Sequence, residues 1–201
     1  MKKQFMLMVL LVILGLAKAQ DSTLERSEFY FNMDLHLGTH IGGGLGANIF
    51  MDEKNAFQIG YFTLAKKSRA MPSDFHGGLS GLLTLGLNHP KDKIRTGYFS
   101  YARGVYLNPQ KTNRALLSVG LGFGTQENKV NFRRTSQNAF LGPNYTWTTE
   151  KVPSVSLVLG CRFEFLLTKP YGLSAFSPTL ILSPGKSYIG LSFGQMLGTL
   201  R

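Results

Sequence analysis

The sequence lacks several features that would place it in other protein classes. Cys161 is the only cysteine among 201 residues, so the chain forms no internal disulfide. After residue 16 it has no apolar run of the ~20 residues that a transmembrane helix needs. No linker rich in proline or serine divides it, so we expect one domain. A disulfide-bonded scaffold, a helical membrane protein and a chain of several domains are therefore all disfavoured.

The start of the chain has the pattern of a cleavable export signal. Lys2 and Lys3 form a basic region, and an apolar run extends from Phe5 to Leu16. Ala17-Lys18-Ala19 then supplies the two small side chains that a signal peptidase requires. We therefore predict a signal peptide at residues 1–19 and a mature domain at residues 20–201.

Acidic residues are scarce, with 11 Asp and Glu against 22 Lys and Arg. Removal of the three signal-peptide lysines lowers the net charge from +11 to about +8. A basic exported chain is expected to meet anionic lipid head groups or surface polysaccharide, and nucleic acid is not an expected partner. Outer-membrane lipid and lipopolysaccharide are the partners that this balance favours, and a solvated basic surface without a partner is the equally weighted alternative.

Alternating apolar and polar residues are the main positive signal. Phe29, Phe31, Met33, Leu35 and Leu37 share one face of a strand, because successive side chains point to opposite faces. Seven apolar residues from Val155 to Leu167 do the same, with polar residues between them. In an exported chain, this pattern predicts an all-β, antiparallel up-and-down transmembrane barrel with lipid outside and a polar lumen.

Eight strands account best for the pattern. The predicted strands are residues 28–37, 43–51, 56–66, 94–107, 114–126, 152–167, 171–182 and 187–198. Short connections at 52–55, 108–113 and 168–170 contain the Asn, Asp and Pro residues that form turns. With both termini in the periplasm, these turns lie on the periplasmic side and the long stretches 67–93 and 127–151 become outer loops.

Three local features leave questions open. Segment 77–88 is predicted to be an ordered part of an outer loop, and ten strands would require a second addition around Phe132 and Trp147. Segments 56–66 and 171–182 have apolar residues on both faces and give no clear inward and outward assignment. Tyrosines near the strand ends, including Tyr30, Tyr98 and Tyr188, are interpreted as girdle residues at the head-group level.

The export signal, the alternation, the glycine-rich opening hairpin and the closing segment 187–198 together resemble a known family. This is the family of small bacterial outer-membrane β-barrel proteins with eight strands, of the kind that includes the OmpA-type transmembrane domain. The resemblance covers roughly residues 28–201 and implies a location in the cell outer membrane. The chain departs from many such barrels at its end, where Leu200-Arg201 replaces an aromatic residue.

No catalytic motif, metal site or cofactor site is recognised. The four histidines, His36, His40, His76 and His89, lack a neighbouring serine in the pattern of a barrel esterase, and His36 and His40 alone do not make a metal site. Cys161 on an apolar strand face is interpreted as a small hydrophobic residue. We therefore expect no enzymatic activity, no cofactor and no metal.

Charged residues at lumen positions are the remaining candidates. Asp34, Arg162 and Glu164 face the predicted lumen, and Arg95 and Arg103 are assigned there as well. Because an eight-stranded barrel is only wide enough for side chains to fill, these charges are predicted to pair in an ionic network that plugs it. The predicted function is a non-enzymatic, monomeric barrel whose loops 67–93 and 127–151 bind envelope or extracellular partners. The alternatives are a lipid-modifying barrel enzyme, a narrow pore and a soluble, lipocalin-like ligand carrier.

Overall fold

The strands form a closed ring. In the computed structural model, which describes residues 28–84, 89–135 and 142–200, each strand pairs antiparallel with its neighbours in the chain and β8 pairs with β1. The elements are β1 (Phe29–Gly38), β2 (Ile41–Phe50), β3 (Asn55–Lys67), α1 (Gly78–Leu83), β4 (Lys91–Tyr106), β5 (Asn113–Arg134), β6 (Tyr145–Thr168), β7 (Tyr171–Leu182) and β8 (Tyr188–Thr199). The predicted eight-stranded fold class is confirmed. The predicted signal peptide, residues 1–19, lies outside the described residues.

The two ends of the barrel differ. The terminal end carries the first residues of β1, the last of β8 and the connections 51–54, 107–112 and 169–170. The loop end carries the connections 39–40, 68–90, 135–144 and 183–187. Within 68–90, Gly78–Leu83 is helical, in agreement with an ordered loop segment, while residues 85–88 lie outside the described part of the chain. No helix in the described ranges is long and apolar enough to cross a membrane.

Much of the 127–151 stretch is strand, contrary to the sequence prediction of an outer loop, because residues 127–134 belong to β5 and residues 145–151 to β6. Lys93 and Glu127 form the last register pair of β4 with β5, and beyond it Asn128–Arg134 pairs only with Tyr145–Glu150 of β6. The polar content of this stretch gave it the appearance of a loop. Its Thr, Val and aromatic residues nevertheless favour strands, and a two-stranded ribbon in water can carry polar residues on both faces. At ~3.3 Å per residue, the ribbon projects about 20 Å from the barrel.

The outward face is apolar around the ring. Phe31 is 58% exposed, Leu117 70% and Ile189 62%, although all are large hydrophobic residues. In each strand, the residues that alternate with the outward-facing ones are buried inside the barrel, for example Asn32 and Asp34 in β1. A bilayer stabilises a closed barrel that has an apolar outer surface and polar groups in its interior.

A β-bulge explains the poor alternation of β7. The ladder to β8 shifts register between Ser174 and Ser177, and Phe176 adopts a positive φ of 47°. Ser174 and Ser177 are both buried although they are three residues apart, because Ala175 and Phe176 together occupy the outward side. The bulge inserts one residue and reverses the inward and outward assignment of the rest of the strand.

Candidate functional site: the lumen and the loop-end mouth

The lumen near the terminal end is filled by apolar side chains. These residues, named the terminal layer, are Tyr30, Phe50, Ala56, Ala102, Leu116, Leu166, Met196 and Leu200. They are contributed by seven strands and by the residue after β8, so side chains from nearly the whole ring meet at this level. All are 6% exposed or less.

Ion pairs lie within the terminal layer. The Arg114 guanidinium contacts Glu164 through Nε and Glu28 through Nη1, each at 2.5 Å, and its carbon Cζ lies 4.0 Å from the centre of the Phe50 ring. The Tyr30 hydroxyl donates a hydrogen bond to Glu164. Glu164 is therefore paired with a cation from the neighbouring strand, as a carboxylate at 1% exposure requires.

A second, separate ion pair lies further along the lumen. Arg162 Nη2 is 2.5 Å from Asp34 Oδ2, across the barrel from β6 to β1. Asn32 also donates to Asp34, and Ser174 Oγ donates to its other oxygen at 3.3 Å. Gly194 leaves room for this carboxylate, since a Cβ there would collide with Asp34 Oδ1.

The middle of the lumen contains a small polar cavity. Its volume is about 50 Å³, and its wall includes Asp34, His36, Gln58, Ser100 and Arg162. Arg162 Nη1 and His36 Nδ1 are buried without a hydrogen-bond partner in the protein. A polar cavity of this size has room for ordered water, which would satisfy these groups.

A second apolar layer lies in the lumen toward the loop end. This upper layer consists of Phe62, Leu64, Ile94, Val158, Ile181 and Tyr188, with Tyr98 packed against it. Gly60 makes space for the Tyr98 ring, which a Cβ would approach to 2.7 Å. The two layers account for the apolar residues on both faces of β3, because Ala56, Phe62 and Leu64 point into the lumen.

The structure places the predicted lumen charges in two groups. Asp34, Arg162 and Glu164 face the lumen, but Glu164 pairs with Arg114 and not with Arg162. The assignment of Arg95 and Arg103 to the lumen is wrong. Both alternate with buried Thr96 and Ala102 and so point outward, where Arg95 lies 3.6 Å from Glu127 and Arg103 is exposed near the terminal end.

Sequence reasoning missed Arg114 and Glu28. Both lie at strand ends, where a charged residue is usually assigned to the solvent. The signal that identifies Arg114 is its spacing: it lies two residues before Leu116, which begins the inward series of β5. Tyr30, Tyr98 and Tyr188, predicted as girdle residues, point inward instead, because they occupy inward positions in the alternation of their strands.

The histidines do not form a catalytic or metal-binding cluster in the described ranges. His36 lies in the lumen, His40 in the β1–β2 turn, and His76 and His89 in the connection 68–90. Among the described side chains, no three His, Cys, Asp or Glu residues converge as metal ligands, and no serine hydroxyl bonds to a histidine ring. Cys161 lies on the outward register of β6 and is partly exposed.

The connection 68–90 is held against the β5–β6 ribbon. Phe75 contacts Tyr145 and Trp147 with ring centroids 6.5 and 6.0 Å apart, and Asn144 exchanges hydrogen bonds with His76 and Asp74. The Tyr145 hydroxyl donates to Asp74 at 2.9 Å, which raises the pKa of Tyr145. These contacts join the two segments into one ordered surface.

Cationic side chains gather at the mouth of the barrel above the upper layer. Lys66 and Asp92 are register partners on β3 and β4, directly beyond the pair Leu64 and Ile94. Asp92 binds Lys186 Nζ at 3.0 Å and accepts a hydrogen bond from the Lys129 amide at 2.9 Å. The mouth is therefore lined by charge, with the upper layer further into the barrel.

Comparisons with known proteins give the fold. No protein-family model matches the chain. No curated protein matches it in sequence. The structure is similar to a major outer membrane protein from Thermus thermophilus, over 87% of this chain and 100% of that one, with a TM-score of 0.58 and 10% identity.

A second similar structure is the N-terminal β-barrel domain of Pseudomonas aeruginosa OprF. It aligns with 85% of this chain and 96% of its own length, with a TM-score of 0.50 and 10% identity. The similarity at these identities concerns the fold. The chain has the fold of the small outer-membrane β-barrels, which confirms the predicted resemblance and agrees with the predicted location in the cell outer membrane.

Proposed function

We propose that the protein is a non-enzymatic outer-membrane barrel with a closed lumen, which presents a rigid surface at its loop end to envelope or extracellular partners. The observation that carries the proposal is the pair of apolar layers, one on each side of the Asp34–Arg162 ion pair. An ion crossing the lumen would have to displace both layers. A barrel built for conduction would instead keep a continuous polar path.

The loop end supports the partner-binding part of the proposal. The β5–β6 ribbon extends beyond the other strands, and the 68–90 connection packs on it through Phe75 and Asn144. An ordered surface loses little conformational entropy when it binds a partner. With the termini in the periplasm, this surface faces the outside of the cell.

Planar-bilayer recording tests the closed lumen. Purified protein is expected to leave the membrane at baseline conductance, and a variant with the upper layer opened, Phe62→Ser with Leu64→Ser, is expected to show more frequent openings. Steady channels from the unaltered protein would overturn the proposal and favour the narrow pore. Activity on radiolabelled lipopolysaccharide, lost on replacing one histidine or serine, would favour the lipid-modifying enzyme.

A further inference from the structure

The mouth of the barrel brings together positive charges from separate parts of the chain. We name the cationic vestibule as the cavity of about 30 Å³ whose charged and titratable lining residues are His40, Lys66, Lys67, Arg69, Asp92 and Lys186. The cations come from β3, from the connection 68–90 and from the β7–β8 turn, with His40 from the β1–β2 turn. The fold, and not a local charge run alone, places them together.

The charges of the cationic vestibule are not balanced. Lys66, Arg69 and Lys186 face one carboxylate, a net charge of +2 with His40 neutral, while the alternation of β3 directs Lys67 to the outer side. Asp92 already contacts Lys186, and no carboxylate of a described residue lies within 4.0 Å of Lys66, Lys67 or Arg69. Like charges held together repel, so this arrangement costs stability that a bound anion would offset.

The position and shape of the vestibule favour a compact, multiply charged anion. The vestibule lies beyond the upper layer, since Leu64 precedes Lys66 by two residues on β3 and the Tyr188 ring centre is 6.2 Å from that of His40. Its volume accommodates two or more oxygen-sized atoms. Lysine ammonium groups and a guanidinium contributed by three separate segments suit a tetrahedral oxyanion better than a planar carboxylate.

We propose that the cationic vestibule binds a phosphate group, carried either by an outer-leaflet glycolipid head group or by a soluble phosphoester. Burial together with the charges of Lys66, Lys186 and Arg69 lowers the pKa of His40, in agreement with a positive potential at the site. The inference deepens the proposed partner binding and rests on it only in placing the mouth at the cell exterior. It names the chemistry of the partner.

Calorimetric titration of the purified, folded protein with inorganic phosphate tests the site. We expect one saturable site with a Kd of about 1 mM or tighter, and an increase in Kd of at least about tenfold in the double variant Lys66→Gln, Arg69→Gln. The matched control, Lys54→Gln with Lys169→Gln, removes the same charge from the exposed turns of the terminal end and is expected to leave Kd unchanged. All are checked for folding by the mobility difference between unheated and heated samples on gels.

A second arm distinguishes the two sources of phosphate. Protein in phosphatidylcholine nanodiscs containing bis-phosphorylated or dephosphorylated lipid A is extracted, and retained lipid A is measured by mass spectrometry. Retention that needs both the phosphates and the vestibule lysine and arginine identifies the lipid source. Phosphate binding in the titration without such retention identifies a soluble one.

The inference is overturned if the unaltered protein binds no phosphate in either arm, or if both double variants bind it equally. Its failure is separable from that of the proposed function, because conductance is recorded on the same preparations. A closed barrel that binds no phosphate overturns only the vestibule site. An open channel that binds phosphate overturns only the closed lumen.

Discussion

Replacing Asp34 with alanine should unfold the barrel more readily than replacing Asp34 and Arg162 together. In the single variant the guanidinium loses its 2.5 Å partner while remaining in the lumen, where its side chain is 14% exposed. No other carboxylate of a described residue lies within 4.0 Å of Arg162. The cation would have to be accommodated by the small polar cavity alone.

The magnitudes follow from the contacts. Leaving one charge of a buried pair unpartnered costs about 3–5 kcal/mol. The double variant Asp34→Ala, Arg162→Met removes the cation and leaves only the lost hydrogen bonds from Asn32 and Ser174, at about 1 kcal/mol each. We therefore expect the double variant to cost about 2 kcal/mol and the single variant to exceed it by about 1–3 kcal/mol.

Equilibrium unfolding in urea, with the protein in lipid vesicles, measures these differences. Far-ultraviolet circular dichroism reports the loss of strands, and gel mobility of unheated samples reports the folded fraction independently. Arg162→Met alone completes the double-mutant cycle. Its loss of stability should lie toward the lower end of the range of about 3–5 kcal/mol, since Asn32 and Ser174 still donate hydrogen bonds to Asp34. A double variant at least as unstable as Asp34→Ala would refute this reasoning. That result would mean that the Arg162 charge, left without Asp34, costs the folded barrel no stability.

The remaining predictions concern the outward face, the terminal layer, the loop end and the vestibule. Leu159→Arg should impair insertion by roughly 2–4 kcal/mol if it meets the bilayer midplane, whereas Leu167→Arg, near the terminal end, should cost about 0–1 kcal/mol; equal folding yields in vesicles would contradict a lipid-facing position for Leu159. Glu164→Ala should destabilise the barrel in urea unfolding, because it removes one of the two carboxylates that pair with Arg114, and an unchanged midpoint would refute that role. Phe75→Ala should expose the 68–90 connection to limited proteolysis while leaving gel mobility unchanged, and unchanged cleavage would show that the aromatic contacts do not order it. Sulfate stays dianionic, so its own charge does not change over this pH range. It should bind more tightly as pH falls below 6.5, because His40 takes up a proton at a pKa below its usual value and adds positive charge. His40→Gln should abolish this pH dependence of sulfate binding.

Strand number and the lipid-facing side were predictable because a period of two is visible wherever one face meets lipid and the other carries polar residues. β1 and β6 have this pattern in full, and their assignment needed no tertiary information. The terminal layer and the upper layer were not predictable in the same way. They place apolar residues such as Phe62 and Leu64 on the inner face of β3, so both faces have the same composition and the alternation disappears.

The charged residues were harder to place than the apolar ones. Asp34, Arg162 and Glu164 stood between strongly apolar neighbours, so their inward direction followed from parity. Their partners depend on which strands lie opposite one another, as in the pairing of Arg162 with Asp34 across the lumen. Arg95 and Arg103 were misplaced although they alternate with inward residues of β4, and a long side chain near a barrel end can extend its charge to the head groups.

The bulge in β7 has a consequence for how this chain can change in length. In a strand with strict alternation, gain or loss of one residue turns every side chain beyond it inside out, exchanging lumen residues for lipid-facing ones. At Ala175 and Phe176 two adjacent residues already share the outward side, so deletion of one would leave the facing of both flanking segments intact. Single-residue deletions should therefore be tolerated at this point of β7. They should not be tolerated along β1, because its pairing with β2 and β8 contains no bulge.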